Sequence, residues 1–139
     1  MDSLNTEKIL GAKKDGVGTL TFNYPEKHNA ISPEMAVAAA RVIEDFNKDA
    51  SVRVIVLKGA GGKAFVSGGD ISQYEKNRAT PEQIAEYNRM SATFREALTL
   101  TPKPTIAMIR GYCLGGGLAI ALRCDMRICS EDAQFSVPA

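Results

Sequence analysis

Three observations predict an α/β fold with a substantially parallel sheet. Strand-like runs alternate with helical periodicity, the central runs are too continuously apolar to face water on one side, and two glycine-rich bends each follow a strand and precede a helix.

The elements follow in order. Ile9 to Lys13 and Val17 to Asn23 flank Asp15-Gly16, a pair suited to a two-residue turn, so the chain is expected to open with a β-hairpin. After a loop through Lys27, His28, Asn29 and Ala30, Ser32 is placed to cap a helix whose first residue is Pro33. Met35, Ala39, Val42, Ile43 and Phe46 then keep helical spacing to about Lys48. Val52 to Lys58 is nearly all apolar or β-branched, as a strand covered on both faces would be. Gly59-Ala60-Gly61-Gly62 ends it, and the segment from Lys63 to Ile71 reads as a glycine-rich turn into a short helix with Asp70 as N-cap. Thr80-Pro81-Glu82-Gln83 is a capping box, and Ile84, Tyr87, Ser91, Phe94 and Leu98 mark the packed stripe of a long helix ending before Pro102. A strand from Thr105 to Ile109 leads to the bend at Gly115-Gly116-Gly117, a short apolar helix to Leu122, and a strand over Asp125 to Ser130.

Composition narrows the partners. The chain has 139 residues, 45% hydrophobic and 24% charged, with a formal net charge of +1 and no basic stripe interleaved with aromatics, so neither nucleic acid nor an anionic membrane is favoured. No apolar run reaches the roughly 18 residues of a membrane span, and the N-terminal residues resemble neither a secretory signal nor a transit peptide. Cys113, Cys124 and Cys129 are spaced unlike a zinc site and read as reduced core thiols, so no metal is expected and a cytoplasmic location fits. With no linker in view, residues 1–139 read as one domain or part of one; the sequence stops without a closing helix, as a piece of a longer protein would.

The two bends carry the chemistry. Consecutive glycines let a ligand approach main-chain N–H groups, and a helix N-terminus aims those groups at negative charge. A sheet of this kind brings the carboxyl ends of its strands to one edge, so the bends can converge, and one N–H from each would make an oxyanion hole. Close packing of helix on strand is the competing account of either bend alone. Neither bend has the Gly-x-Gly-x-x-Gly or Walker spacing, which argues against a nucleotide hydrolase.

Taken together, Asn29-Ala30, Ala64-Phe65 leading to Ser67-Gly68-Gly69-Asp70-Ile71, Lys103-Pro104, Gly111-Tyr112 with Leu114-Gly115-Gly116-Gly117, and Cys124-Asp125-Met126-Arg127-Ile128 through Gln134-Phe135 resemble the crotonase (enoyl-CoA hydratase/isomerase) family in order and spacing. The resemblance covers about Ile9 to Ala139. It implies a spiral of ββα units, here the N-terminal half of a subunit, that binds an acyl-CoA thioester and stabilises an enolate-like oxyanion with the backbone N–H groups of Gly69 and Gly116. It also implies CoA contacts along Lys27, His28, Ala30, Ala64, Ser67, Gly68, Asp70, Ile71 and Leu114, and no cofactor beyond the CoA of the substrate. A homotrimer or dimer of trimers is implied for the full-length protein.

The pattern breaks at two positions. Hydratases of the family place glutamates where this chain has Ala119 and Ala139, and a methyl group can neither activate water nor move an α-proton. The two-glutamate hydration mechanism therefore does not transfer. Asp70 is read as a cap, Tyr112 as a packing residue, Asp125, Glu131 and Asp132 as strand-entry and loop charges on a solvated rim, and His28 as a loop residue beside the ligand. Two functions from different classes remain open, besides a purely structural reading of both bends. One is an acyl-CoA enzyme whose proton-transfer group lies beyond Ala139; the other is a non-catalytic acyl-CoA-binding or assembly protein.

Overall fold

A computed structural model describes residues 7–72 and 74–137 and resolves the expected alternation into two sheets rather than one. The first is built from β1 (Ile9–Lys14), β2 (Val17–Phe22), β3 (Val54–Gly59), β5 (Thr105–Ile109) and β7 (Met126–Cys129), in the order β1-β2-β3-β5-β7. The second holds β4 (Ala64–Val66), β6 (Tyr112–Leu114) and β8 (Gln134–Ser136), in the order β4-β6-β8. Only β1 and β2 pair antiparallel; every other pairing is parallel. From β3 onward the chain gives one strand to each sheet in turn, with helices after β4 and β6, which is the spiral of ββα units.

Local chemistry explains the elements. Asp15 (φ 51°) and Gly16 (φ 83°) both occupy the left-handed region, the backbone a two-residue hairpin turn needs. Helix α1 (Pro33–Lys48) starts at Ser32, whose Oγ accepts the Met35 N–H at 3.2 Å. Helix α3 (Pro81–Leu100) starts at Thr80, whose Oγ1 accepts the Gln83 N–H at 3.1 Å, while the Gln83 side chain reaches back to the Ala79 N–H at 3.0 Å. Those reciprocal bonds satisfy donors a helix N-terminus otherwise leaves open.

The core lies between the first sheet and the pair α1 and α3. Phe22, buried on β2, meets Phe65 and Phe94 edge-on at 5.7 and 5.8 Å between ring centres. Those three rings tie both sheets to α3, and burial of each such side chain contributes roughly 1.5–3 kcal/mol. The C-terminus of α1 is closed by Lys103, whose Nζ donates to the carbonyls of Phe46 and Asp49 at 2.5 and 2.7 Å.

Three expectations need correction. The stretch after Gly62 is not simply a turn: Ala64 to Val66 form a buried strand, too short to be read from period-two alternation. Asp70 does not cap the short helix α2 (Tyr74–Asn77), which starts further on; its Oδ1 instead accepts the Ser72 N–H at 3.0 Å in a local turn. Cys129 is no core thiol, since β7 is the edge of the sheet and all four of its residues are exposed.

Candidate functional site

Each residue of the triple glycine answers to a different demand. Gly115 adopts φ 52° and ψ −116°, which side chains rarely tolerate, and its N–H is held by the Ser136 carbonyl at 2.8 Å. A Cβ on Gly117 would stand 1.9 Å from the Val66 carbonyl oxygen, so α4 (Gly116–Arg123) packs on β4 only because that atom is missing. Gly116 is under neither constraint. It is the first residue of α4, where an N–H has no carbonyl of its own helix to bond.

The other bend supplies the matching group. The Ile31 N–H donates to the Gly68 carbonyl at 2.9 Å and the Asp70 N–H to the Ile31 carbonyl at 2.8 Å, so Gly69 forms a parallel bridge with Ile31. In such a bridge the residue's own N–H points away from its partner. The Gly69 N–H therefore faces the α4 side, and a Cβ on Gly116 would lie 3.9 Å from its nitrogen. Among the described residues neither of these two N–H groups has an acceptor.

Both glycines border one cavity of about 280 Å³. Ile31, Ser32 and Ala36 close it from α1 and the residues before it, Tyr87, Ser91, Phe94 and Arg95 from α3, and Ala119 and Ile120 from α4. Among these lining residues there is no carboxylate and no imidazole. The site can therefore hold developing negative charge on two main-chain donors next to a helix N-terminus, but its described walls bring no carboxylate or imidazole to a proton.

Of the residues singled out from sequence, Gly69, Gly116 and Ala119 line this cavity, and Ala139 lies outside the described residues. Lys27, His28 and Ser67 are not among its lining residues but sit together: the Ser67 N–H donates to the His28 carbonyl at 3.1 Å, and Ser67 Oγ to the Lys27 carbonyl at 3.3 Å. The His28 ring is 5.6 Å from that of Tyr112, which is itself 36% exposed. The Ala30 N–H donates to Lys27, Ala64 is buried, Ile71 is 74% exposed, and Leu114 is half-buried on β6, beside Gly68. Asp125 is more than a rim charge, because its Oδ2 accepts the Thr105 N–H at 2.9 Å and joins the starts of β5 and β7.

Sequence reasoning passed over two features. Asn29, fully buried at φ 58°, accepts the Tyr24 N–H at 2.8 Å and donates to the carbonyls of Ala60 and Ala64 at 3.0 and 2.9 Å. It clamps the 24–30 loop to the start of the first bend; a left-handed Asn before a helix was the available signal. The other is the α3 wall: Tyr87 and Ser91 belong to the stripe expected to pack, and Arg95, at the next i, i+4 position, joins them on the cavity. Cys113 and Cys124 are buried, and burial above all pushes each thiol up to about 11, which makes them poor nucleophiles at neutral pH. No cluster of His, Cys, Asp or Glu suited to a metal, and no helix long and apolar enough to cross a membrane, occurs among the described residues.

Comparison with known proteins identifies the family. A family model described as enoyl-CoA hydratase/isomerase matches residues 12–139. The chain is 37% identical over 127 residues to a hydroxycinnamoyl-CoA hydratase-lyase of Pseudomonas fluorescens, covering 89% of this chain and 46% of that protein. It is 32% identical over 135 residues to a short-chain-enoyl-CoA hydratase of Clostridium acetobutylicum, covering 97% and 51%. Among solved structures, an enoyl-CoA hydratase/carnithine racemase from Magnetospirillum magneticum superposes with a TM-score of 0.90 at 34% identity, over 96% of this chain and 50% of that one. An enoyl-CoA hydratase/isomerase from Xanthobacter autotrophicus Py2 gives 0.88 at 37%, over 96% and 50%. The chain spans about half the length of these relatives.

Proposed function

The chain belongs to the enoyl-CoA hydratase/isomerase family, and from that premise we propose that it seats an acyl-CoA thioester with the carbonyl oxygen between the N–H groups of Gly69 and Gly116. The observation that carries this reading is the meeting of two unbonded N–H groups, from separate bends, on one cavity. When the α-proton leaves, its electron pair moves through the enolate to the thioester oxygen, and two fixed donors favour that state over the neutral ground state. The CoA moiety runs along Lys27, His28, Ala30, Ala64, Ser67, Gly68, Asp70, Ile71 and Leu114. The proton-transfer group is not residue 119, which carries only a methyl. No cofactor beyond CoA is required. A trimer, or dimer of trimers, is what the family reading implies for the full-length protein, and sedimentation of that protein tests it.

A second reading is favoured by Ala119 itself: a pocket that binds acyl-CoA and performs no chemistry. One experiment separates them. The full-length protein is incubated with butyryl-CoA in deuterium oxide, with binding followed by calorimetry and exchange by mass spectrometry. Deuterium at the α-carbon is the expected result. Binding without exchange replaces the enzymatic reading with the binding one, and absence of binding rejects both.

A further inference from the structure

Arg95 is the one ionised side chain on the wall of a cavity otherwise bounded by apolar, hydroxyl and glycine residues. It stands on α3 one turn beyond Ser91, and Phe94, buried beside it, anchors that part of the helix to the core. Among the described residues no carboxylate neutralises it, and its single bond there is from Nη1 to the Ser91 carbonyl at 3.4 Å, at the limit of hydrogen bonding. The remaining guanidinium donors are unspent. Glu86, further back on the same helix, is committed to Arg89. The depression on the outer side of Arg95 adds a second cation, Arg123, alongside Glu96. Glu96 adjoins Arg95 in sequence, and neighbouring positions on a helix do not face one another.

Arg95 is an exposed side chain whose guanidinium stays hydrated, so an alkyl chain lying in the cavity gains nothing from it. A carboxylate does gain, because arginine binds it through two parallel N–H···O bonds. Ala119 keeps negative charge off this part of the wall. At about 280 Å³ the cavity has room for a short acyl group beside the two glycine N–H groups.

We propose that the acyl group of the substrate is a short chain ending in a carboxylate, read by Arg95. The proposal rests on the acyl-CoA reading above and specifies its substrate class. The test measures binding of succinyl-CoA, glutaryl-CoA, butyryl-CoA and free CoA to the full-length protein and to its Arg95→Met and Arg95→Lys variants. At least one of the two carboxylated thioesters is expected to bind about ten-fold or more tightly than butyryl-CoA, the worth of one charge-assisted pair. Arg95→Met brings that ratio to about one, and Arg95→Lys, which keeps the charge without the fork, leaves it in between. Equal or weaker binding of both carboxylated thioesters overturns the proposal while leaving acyl-CoA binding intact, as does a preference that survives Arg95→Met. Failure to bind any of the four ligands overturns the acyl-CoA reading as well.

Discussion

A Cβ placed on Gly116 would lie 3.9 Å from the backbone nitrogen of Gly69, whereas one on Gly117, the next residue, would lie 1.9 Å from the Val66 carbonyl oxygen. Neighbouring glycines are thus under unlike constraints: a side chain has room at residue 116 and none at residue 117, where a helix touches a strand.

The contrast predicts opposite mutational outcomes. Gly116→Pro removes the N–H at a first helical position, where proline is tolerated, so the thermal midpoint should stay near that of the parent while α-deuterium exchange falls about 10²- to 10³-fold. Gly117→Ala should lower the midpoint outright, since α4 must move off β4. Full exchange in a folded Gly116→Pro protein would remove that donor from the mechanism.

Asn29 is predicted to matter for stability. Asn29→Ala removes the acceptor of the Tyr24 N–H and both donors to Ala60 and Ala64. Leaving buried backbone groups unsatisfied costs about 1–3 kcal/mol each, so denaturant unfolding should show a loss near the upper end of that range. Asn29→Asp should do worse than a near-isosteric change suggests, because a carboxylate would face two carbonyl oxygens.

Lys103→Met should cost about 1 kcal/mol in the same measurement, by uncapping the carbonyls of Phe46 and Asp49 at the end of α1. A loss of exchange activity without loss of stability would contradict this purely structural role.

The thiols give a chemical and a pH prediction. An aromatic disulfide reagent at pH 8 should label exposed Cys129 quickly and reach buried Cys113 and Cys124 only at the rate of unfolding. Burial raises those two thiols from 9.0 to about 11, so between these pH values the folded state holds protons the unfolded chain has lost. Stability is unaffected by these groups below about pH 9 and should fall as pH rises toward 11. Cys113→Ala should flatten that fall; an unchanged slope would mean the thiol is not shielded.

Several of these features were legible in the chain itself. Hairpin, caps and long helices rest on local rules, and Asp15-Gly16, Ser32-Pro33 and Thr80-Pro81 show them within a few residues. The short strands β4, β6 and β8 escaped, since three residues give no periodicity and their pairing is set by partners far away in sequence. Asp70 differs for a local reason: a residue that can cap a helix can also close a turn two residues on.

The sequence by itself determined the parallel α/β alternation, the two glycine bends and the absence of a carboxylate at residue 119. Only the tertiary structure decided that Gly69 and Gly116 open on one cavity, that Asn29 clamps the 24–30 loop to the first bend, and that Arg95 lies on the cavity wall. Local propensity acts over a few residues, whereas these relations join positions some 25 to 50 apart, which only the packing of loops and helices against the sheets brings together.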